Sequence, residues 1–249
     1  MQDTSTIGDK YEEDYELLSA DLPDWTSDFR NEAMLAFKQI GLPIHRKGNE
    51  KWKYTNARPI AEPQYSLAKF EEIGLDTIKN VAPWNDSWVN VVFVNGLCQG
   101  IFTSDTASNI QVFNIASDEL PPNIAKLVGG IVDYSDDGFA AWNSAFMSDG
   151  SVINVPDGDN SGTVINMIFF NQGLAGTVNH PRVLVNSGKK SNINVIENYV
   201  GGGDNHTLTN SVSEIYVGES ATVNHYRLMS ETDHTVSYTH LTLPTILLV

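Results

Sequence analysis

The side chains best suited to chemistry lie in the second half of the chain. Histidines and carboxylates there could bind metal ions or transfer protons, and arginines could assist them. The residues are His180, His206, His225, His234, Glu197, Glu214, Arg182 and Arg227. The histidines lack a metal-site spacing such as H-E-x-x-H, so the pattern predicts no metal site among them.

The charged residues of this set permit one enzymatic interpretation. Polysaccharide lyases and hydrolases on a β-helix place paired carboxylates, or acids with a basic residue, on adjacent turns facing a groove. Glu197 and Glu214 are the candidate acids, and Arg182 and Arg227 are the candidate bases. Residues 1–16 show no basic start followed by an apolar core, which an export signal would need. We therefore expect a cytoplasmic protein, which argues against a secreted glycan-cleaving enzyme.

The residue types or their spacing argue against three other kinds of site: a cysteine site, a calcium-binding loop and a phosphate-binding loop. Cys98 is the only cysteine, so the chain alone cannot form a disulfide or an all-cysteine zinc or iron–sulfur site, and we expect it to be buried. Residues 157–162 begin like a calcium loop, but Ile168 stands where an EF-hand needs glutamate. Residues 201–203 are glycines without the lysine or the following helix of a phosphate-binding loop.

Short apolar runs that are typical of β-strands must position these residues. Clusters of Gly, Asn, Asp and Ser separate runs at 151–155, 163–170, 182–185, 193–196, 213–217 and 221–223. An apolar-Asn-apolar core recurs at 153–155, 165–167 and 193–195. In a parallel β-helix this alternation turns the apolar residues inward and the asparagine outward. The repeats therefore favour a solenoid over a β-sandwich, and the pattern assigns no register.

The first 150 residues predict a different organisation. Residues 1–24 are rich in Asp and Glu and predict a flexible acidic arm, whereas residues 25–150 predict a mixed α+β domain that caps the solenoid. The domain's predicted elements are helices at about 26–40, 67–79, 121–128 and 137–147, and a hairpin of strands 88–94 and 97–102 around Asn95-Gly96. In the basic stretch before residue 55, Trp52 and Tyr54 are predicted to pack inward while the lysines reach solvent.

Composition excludes two broad classes of function. The 249 residues include 31 acids and 15 bases, a net charge of −16, which argues against a surface that tracks nucleic-acid phosphates. A hydrophobic content of 41% with 18% charged residues predicts a folded chain, and no apolar run is long enough to span a bilayer.

Several ordered segments resemble those of one known family. Residues 41–55 contain Gly-Leu-Pro and then Glu-Lys-Trp-Lys-Tyr-Thr. Three further stretches follow in order: Val92–Gly96, Phe139–Gly150, and a run from Pro181 that holds Glu197-Asn198-Tyr199, Thr209-Asn210, Glu214-Ile215 and His225-Tyr226-Arg227. Together they resemble the SufB/SufD family of iron–sulfur cluster assembly scaffold proteins over about residues 25–235, and the W-K-Y-T segment favours its SufD branch.

The resemblance implies both an architecture and a role. The implied fold is mainly β: an N-terminal α+β region at 25–150 followed by a right-handed parallel β-helix at 151–235. The implied role is that of a non-catalytic scaffold in a SufBCD complex, with a SufB-type paralogue and a SufC-type ATPase as partners, the ATPase docking on a C-terminal segment that we expect this sequence to lack. The iron–sulfur cluster would be assembled on the complex, and the chain alone would supply no catalytic, cofactor-binding or metal-binding residue.

The C-terminal residues depart from the family pattern. Residues 236–245 resemble the translation of a transposase library adapter, although the alternation at 238–243 also permits a terminal strand. We therefore expect residues 236–249 to be a non-native tail and the β-helix to be truncated within its stack. A stack cut in this way would expose strand edges and an apolar interior, which favours aggregation.

Overall fold

The computed structural model describes residues 11–19, 22–44, 50–103, 109–117, 120–202 and 206–244. They form a helical N-terminal region and a β-solenoid of about three turns at residues 150–242, which confirms the expected fold class. Parts of the predicted acidic arm, basic stretch and tail lie outside the described residues, namely 1–10, 45–49 and 245–249.

Short helices make up most of the N-terminal region. They are α1 (Glu12–Ser19), α2 (Ser27–Ile40), α3 (Arg58–Ala61), α4 (Leu75–Val81), α5 (Pro122–Ala125) and α6 (Gly138–Phe146), with 3₁₀ turns at Asp24–Thr26 and Glu50–Trp52. In α2, Ala33 and Phe37 are buried one turn apart and face α6. Gly41 ends the helix at a φ of 63°, where a residue with a Cβ is disfavoured.

The strands form two sheets that the chain visits alternately. They are β1 (Ser66–Leu67), β2 (Val89–Val94), β3 (Leu97–Phe102), β4 (Gln111–Asn114), β5 (Gly150–Val155), β6 (Val164–Asn171), β7 (Thr177–Asn179), β8 (Arg182–Ser187), β9 (Asn192–Gly201), β10 (Thr207–Val217), β11 (Thr222–Ser230) and β12 (Thr235–Thr242). One sheet has the order β1-β7-β10-β8-β5-β4 with β12 also on β10, and the other has β11-β9-β6-β2-β3.

Strands of successive coils pair in parallel within the same sheet, and this pairing identifies the solenoid. Val212 pairs with Arg182 in one sheet, and Tyr226 pairs with Ile196 in the other. In each pair the partners are 30 residues apart (212 minus 182 and 226 minus 196), which is the length of one coil. A sandwich of hairpins would pair its strands antiparallel, so the solenoid prediction is confirmed.

The alternation of side chains along the strands builds an apolar interior. Ile153, Val155, Ile193 and Val195 are at most 1% exposed and belong to one core cluster between the two sheets. Removing such side chains from water is the main stabilising contribution in a stack of this kind. The residue between each apolar pair points outward, as the sequence predicted.

Outward-facing amides stack into ladders from coil to coil. The hydrogen bonds run from Asn198 to Asn166 to Asn90, from Asn186 to Asn154 to Gln111, and from Asn224 to Asn194. Donor–acceptor distances lie between 2.5 and 3.1 Å. Each side-chain amide thus adds a hydrogen bond parallel to those of the backbone ladder.

The predicted hairpin closes one end of the stack. β2 and β3 are antiparallel, and Asn95 and Gly96 at their turn both have positive φ, as a two-residue type I′ turn requires. β2 pairs in parallel with β6, while β4 pairs antiparallel with β5. The α+β region therefore supplies the first strand layers of both sheets.

Details of the N-terminal region differ from the sequence predictions. The stretch interpreted as an acidic arm contains α1, and Tyr11 beside it is 2% exposed because it packs on Phe37 and Trp142. Trp52 packs on Phe139 as predicted, but Tyr54 is 89% exposed, so that prediction was wrong. Tyr54 instead lies under the ammonium group of Lys53.

Helix limits differ as well. The predicted helix at 67–79 starts eight residues later, as α4, and the one at 121–128 is the short α5. Both segments mix polar and apolar residues with little periodicity, so local pattern could not set their ends. Of the predicted tail, residues 236–242 belong to β12 (Thr235–Thr242), which pairs with β10 in register.

Candidate functional site

Arg182 and Glu214 form an ion pair that is sealed inside the protein. Nη2 of Arg182 lies 2.6 Å from Oε2 of Glu214, and neither side chain has any exposed surface. Arg182 begins β8 and Glu214 lies on β10, its neighbour one coil later. The guanidinium also donates to Asn143 Oδ1 and Ser144 Oγ of α6, each at 3.0 Å. The pair therefore ties two coils to the helix that covers them.

Backbone groups complete the surroundings of Glu214. Its carboxylate accepts hydrogen bonds from the N–H groups of Gly129, Ile131 and Val132, at 2.8, 3.1 and 3.3 Å. These residues lie in the loop between α5 and α6. Glu214 thus holds that loop against the sheet, and its charge is fully compensated without a ligand.

A second cluster of charged side chains fills the interior of the solenoid near β11. Glu197, which is completely buried, accepts hydrogen bonds from Tyr199 Oη and Ser213 Oγ, both at 2.8 Å. It also accepts from His225 Nε2 at 2.8 Å and from Nε and Nη2 of Arg227 at 3.1 and 3.0 Å. The partners come from β9, β10 and β11, so Glu197 links both sheets across the interior.

The partners of Glu197 determine its protonation. Burial alone would raise the pKa of this carboxyl, but the hydrogen bond from His225 and the positive charge of Arg227 lower the pKa to about 2. A general acid needs a pKa near the pH at which it works, so Glu197 is unsuited to that role. What the cluster does is fix β11 over β9 at a single register.

The enzymatic interpretation needs two acids that face one open groove. Glu197 points into the solenoid interior, whereas Glu214 points outward against α6, and neither is exposed. The candidate bases, Arg182 and Arg227, form ion pairs with these same two acids and are not available to a substrate. The arrangement does not favour a polysaccharide lyase or hydrolase.

His180 is a buried histidine without charge compensation. Its ring contacts Trp142 edge-on at a centroid distance of 4.8 Å, and Nδ1 lies 3.2 Å from Nδ2 of Asn210. Burial lowers the pKa of His180 to about 3, because a protonated ring would lose its hydration there. The residue is therefore a neutral part of the core between α6 and the sheet.

Acidification should therefore destabilise the fold through His180. Because its pKa is depressed in the folded state, the contribution to stability is complete above about pH 6.5 and is lost as the pH falls from there towards 3. Each unit in that window costs about 1.4 kcal/mol. We expect the unfolding free energy of wild type to fall, relative to that of His180→Phe, by this amount for each pH unit below about 6.5. Urea unfolding at pH 7, 6, 5 and 4 measures it, and parallel curves for the two proteins would contradict it.

Asp149 connects the hairpin to the first strand of the solenoid. Its carboxylate accepts hydrogen bonds from the backbone of Cys98 at 2.7 Å and Gly150 at 2.6 Å, and from Asn114 at 3.3 Å. Burial raises the pKa of Asp149 to about 6 and that of the Cys98 thiol to about 11. Cys98 is half-buried against the interior cluster, so the expectation of burial holds in part and the thiol is unreactive at neutral pH.

Two further candidate sites remain: the calcium-like segment, which forms a turn, and the histidines His206 and His234, which contact each other. Asp157 accepts a hydrogen bond from the backbone of Lys189 on the next coil, at 2.7 Å, so the calcium-like segment is a polar turn. His206 and His234 lie side by side with ring centroids 4.9 Å apart. Among the described residues, no group of three or more His, Cys, Asp or Glu is placed to hold a metal ion. The described helices include none that is both long and apolar enough to cross a membrane.

Two family models match the chain. The model described as "SufBD protein N-terminal region" matches residues 1–167, and that described as "SUF system FeS cluster assembly, SufBD core domain" matches residues 169–243. The chain belongs to the SufB/SufD family. A search of curated proteins found no significant match. The boundary between the two matches falls within β6, in the first coil of the solenoid.

Residues on which the resemblance to the SufB/SufD family was based lie in the two buried clusters. The E-x-Y element (Glu197, Tyr199) meets the H-Y-R element (His225, Arg227) inside the solenoid. The glutamate of the E-I element is Glu214, the ion-pair partner of Arg182. Sequence reasoning missed Ser213 and the three backbone donors of the 129–132 loop. The ion pair of Glu197 with Arg227 joins register partners 30 residues apart.

Proposed function

We propose that this chain is a SufD-type scaffold subunit that assembles with a cysteine-richer SufB-type paralogue and a SufC-type ATPase. Membership of the SufB/SufD family, shown by matches over residues 1–167 and 169–243, carries the proposal, because this family provides the scaffold for iron–sulfur cluster assembly. The W-K-Y-T segment at residues 52–55 supports the SufD branch.

The chemistry of the chain supports a scaffold rather than a cluster carrier. Iron–sulfur clusters are held mainly by cysteine thiolates, and the chain has a single cysteine whose thiol pKa is raised to about 11 by burial. Glu197 and Glu214 are fully committed to ion pairs within the fold. The partner subunits would therefore supply the thiolates and the nucleotide chemistry.

Co-purification tests the assembly. The tagged protein is expressed from its full reading frame together with its genomic SufB-type and SufC-type partners, and size-exclusion chromatography with mass measurement follows the complex. All three subunits should elute together. A chain that elutes without both partners under conditions where the partners bind each other would contradict the proposal.

Cluster content tests the scaffold role separately. After reconstitution with iron and sulfide, the complex should show charge-transfer absorption in the visible range, and the chain alone should show none. Cys98→Ser should leave the cluster content of the complex unchanged, because the thiol is unreactive and half-buried. A cluster on the isolated chain, or its loss in Cys98→Ser while the complex stays intact, would refute the role.

A further inference from the structure

His206 and His234 stand at equivalent positions on successive coils of the solenoid. Each precedes a strand, and the residues that follow them, Thr207 and Thr235, are register partners in the parallel pairing of β10 with β12. Both imidazoles are exposed, and their centroids are 4.9 Å apart with the ring planes at 72°. Parallel strands repeat at about 4.8 Å, so the ladder itself keeps the two rings at this distance.

That separation is also the one that two imidazoles have when they share a metal ion. A nitrogen–metal bond of about 2.0–2.1 Å places each ring centroid roughly 3.2 Å from the ion. Angles between perpendicular and tetrahedral at the metal then separate the centroids by about 4.5–5.2 Å. The observed 4.9 Å falls inside this interval. The distance between the rings is therefore compatible with one nitrogen of each binding a common ion.

The backbone on both sides of the pair is already held in place. The carbonyl oxygen of His206 accepts a hydrogen bond from Gly176 at 2.7 Å, and Thr235 closes a turn with Thr232 at 2.9 Å around His234. Within the described part of the chain, neither imidazole has a hydrogen bond to a side chain or an ion pair. Both rings are thus fixed at the Cα, and their nitrogen atoms have no partner among the described side chains, which lowers the entropic cost of binding.

Charge favours a cation at this place. The chain carries a net charge of −16, which raises the local concentration of divalent cations, and exposed Asp233 adjoins His234. Imidazole nitrogen prefers borderline transition metals such as Zn²⁺ and Cu²⁺ over Mg²⁺ or Ca²⁺.

We propose that His206 and His234 form a two-histidine site for a divalent transition metal, with water completing the coordination. The ion would bridge the 206 and 234 positions and so fasten the coil of β12 to that of β10. The inference does not depend on the proposed function.

Titration of the metal-stripped full chain with Zn²⁺ tests the site. Isothermal titration calorimetry should show one ion per chain at this site, and Zn²⁺ should raise the melting temperature. His206→Gln and His234→Gln should each weaken binding more than about ten-fold, since each removes a direct ligand. The double variant should be no weaker than either single one, because a shared ion is lost with the first ligand. His240→Gln, which removes the histidine within β12, is the matched control and should bind as wild type does.

Cu²⁺ supplies an independent readout. Electron paramagnetic resonance of the chain with one equivalent of Cu²⁺ should show coupling to two imidazole nitrogens in wild type, and this two-nitrogen coupling should be absent from either single variant. Binding that survives both substitutions would place the ion elsewhere on the acidic surface and overturn the proposal. The proposal would also be overturned if millimolar Zn²⁺ did not bind. The contact between the rings would then result from the strand spacing alone.

Discussion

Replacing Arg182 with methionine should lower the free energy of unfolding by about 3–5 kcal/mol. The substitution keeps the volume of the side chain roughly constant but leaves the carboxylate of Glu214 buried without its counter-charge. It also removes the donors that serve Asn143 and Ser144 of α6. Denaturant unfolding followed by circular dichroism measures the loss.

A surface ion pair provides the matched control for this prediction. Arg58 and Glu62 lie 2.6 Å apart, as close as the buried pair, but their side chains are 60% and 51% exposed. Arg58→Met should therefore cost less than about 1 kcal/mol. Equal losses for Arg182→Met and Arg58→Met would show that burial contributes nothing to the effect.

The double variant Arg182→Met with Glu214→Leu separates two explanations of the loss. Buried ion pairs can often be exchanged for apolar residues without cost. Here the three backbone N–H groups of the 129–132 loop would lose their acceptor, and each unsatisfied buried donor costs about 1–3 kcal/mol. The double variant should therefore remain less stable than wild type. Recovery of wild-type stability would contradict this role of Glu214.

Gly138→Ala should be similarly damaging, with a loss of about 3 kcal/mol or more. Gly138 is the first residue of α6, and Asp137 before it caps the helix by accepting from the N–H groups of Phe139 and Ala140. A Cβ at position 138 would overlap the carbonyl oxygen of Gly41, so backbone rather than a flexible side chain would have to move. Since α2 packs on α6, the contact between these two helices should loosen.

Gly74→Ala is the control for the glycine substitution. Nothing lies within 4 Å of a Cβ built at Gly74, and its φ of −60° suits any residue. The cost there should stay below about 1 kcal/mol. Thermal unfolding of both variants gives the comparison, and a Gly138→Ala protein that melts within two or three degrees of Gly74→Ala would contradict the prediction.

The architecture could be predicted because each solenoid strand carries its own signal. Apolar-Asn-apolar triplets mark inward and outward faces, and Asn95-Gly96 marks a two-residue turn. These are local features, which sequence pattern reports well. The helix limits of α4 and α5 were missed because tertiary packing, rather than periodicity, determines them.

The candidate sites were harder to predict because they depend on register between coils. Contacts such as Glu197 with Arg227 and His206 with His234 join residues 30 and 28 positions apart. Strand patterns indicated that coils exist but did not fix this period. The histidines therefore looked scattered in the sequence, although the structure places two of them in contact. Burial of Arg182 and Glu214 also escaped prediction, since charged residues are seldom buried unless a partner is known.

The amide ladders give the stack a direction. In every step the later asparagine donates and the earlier side chain accepts, from Asn224 back to Asn194 and from Asn198 back to Asn90. The side-chain oxygen of Asn198 is buried and lacks a hydrogen-bond donor among the described residues. Each column is therefore a chain of aligned dipoles whose oxygen end faces away from the hairpin. The column that ends at Asn198 stops there because its register partner on β11 is Leu228, which has no side-chain donor, so the next coil joins through its backbone alone at this position.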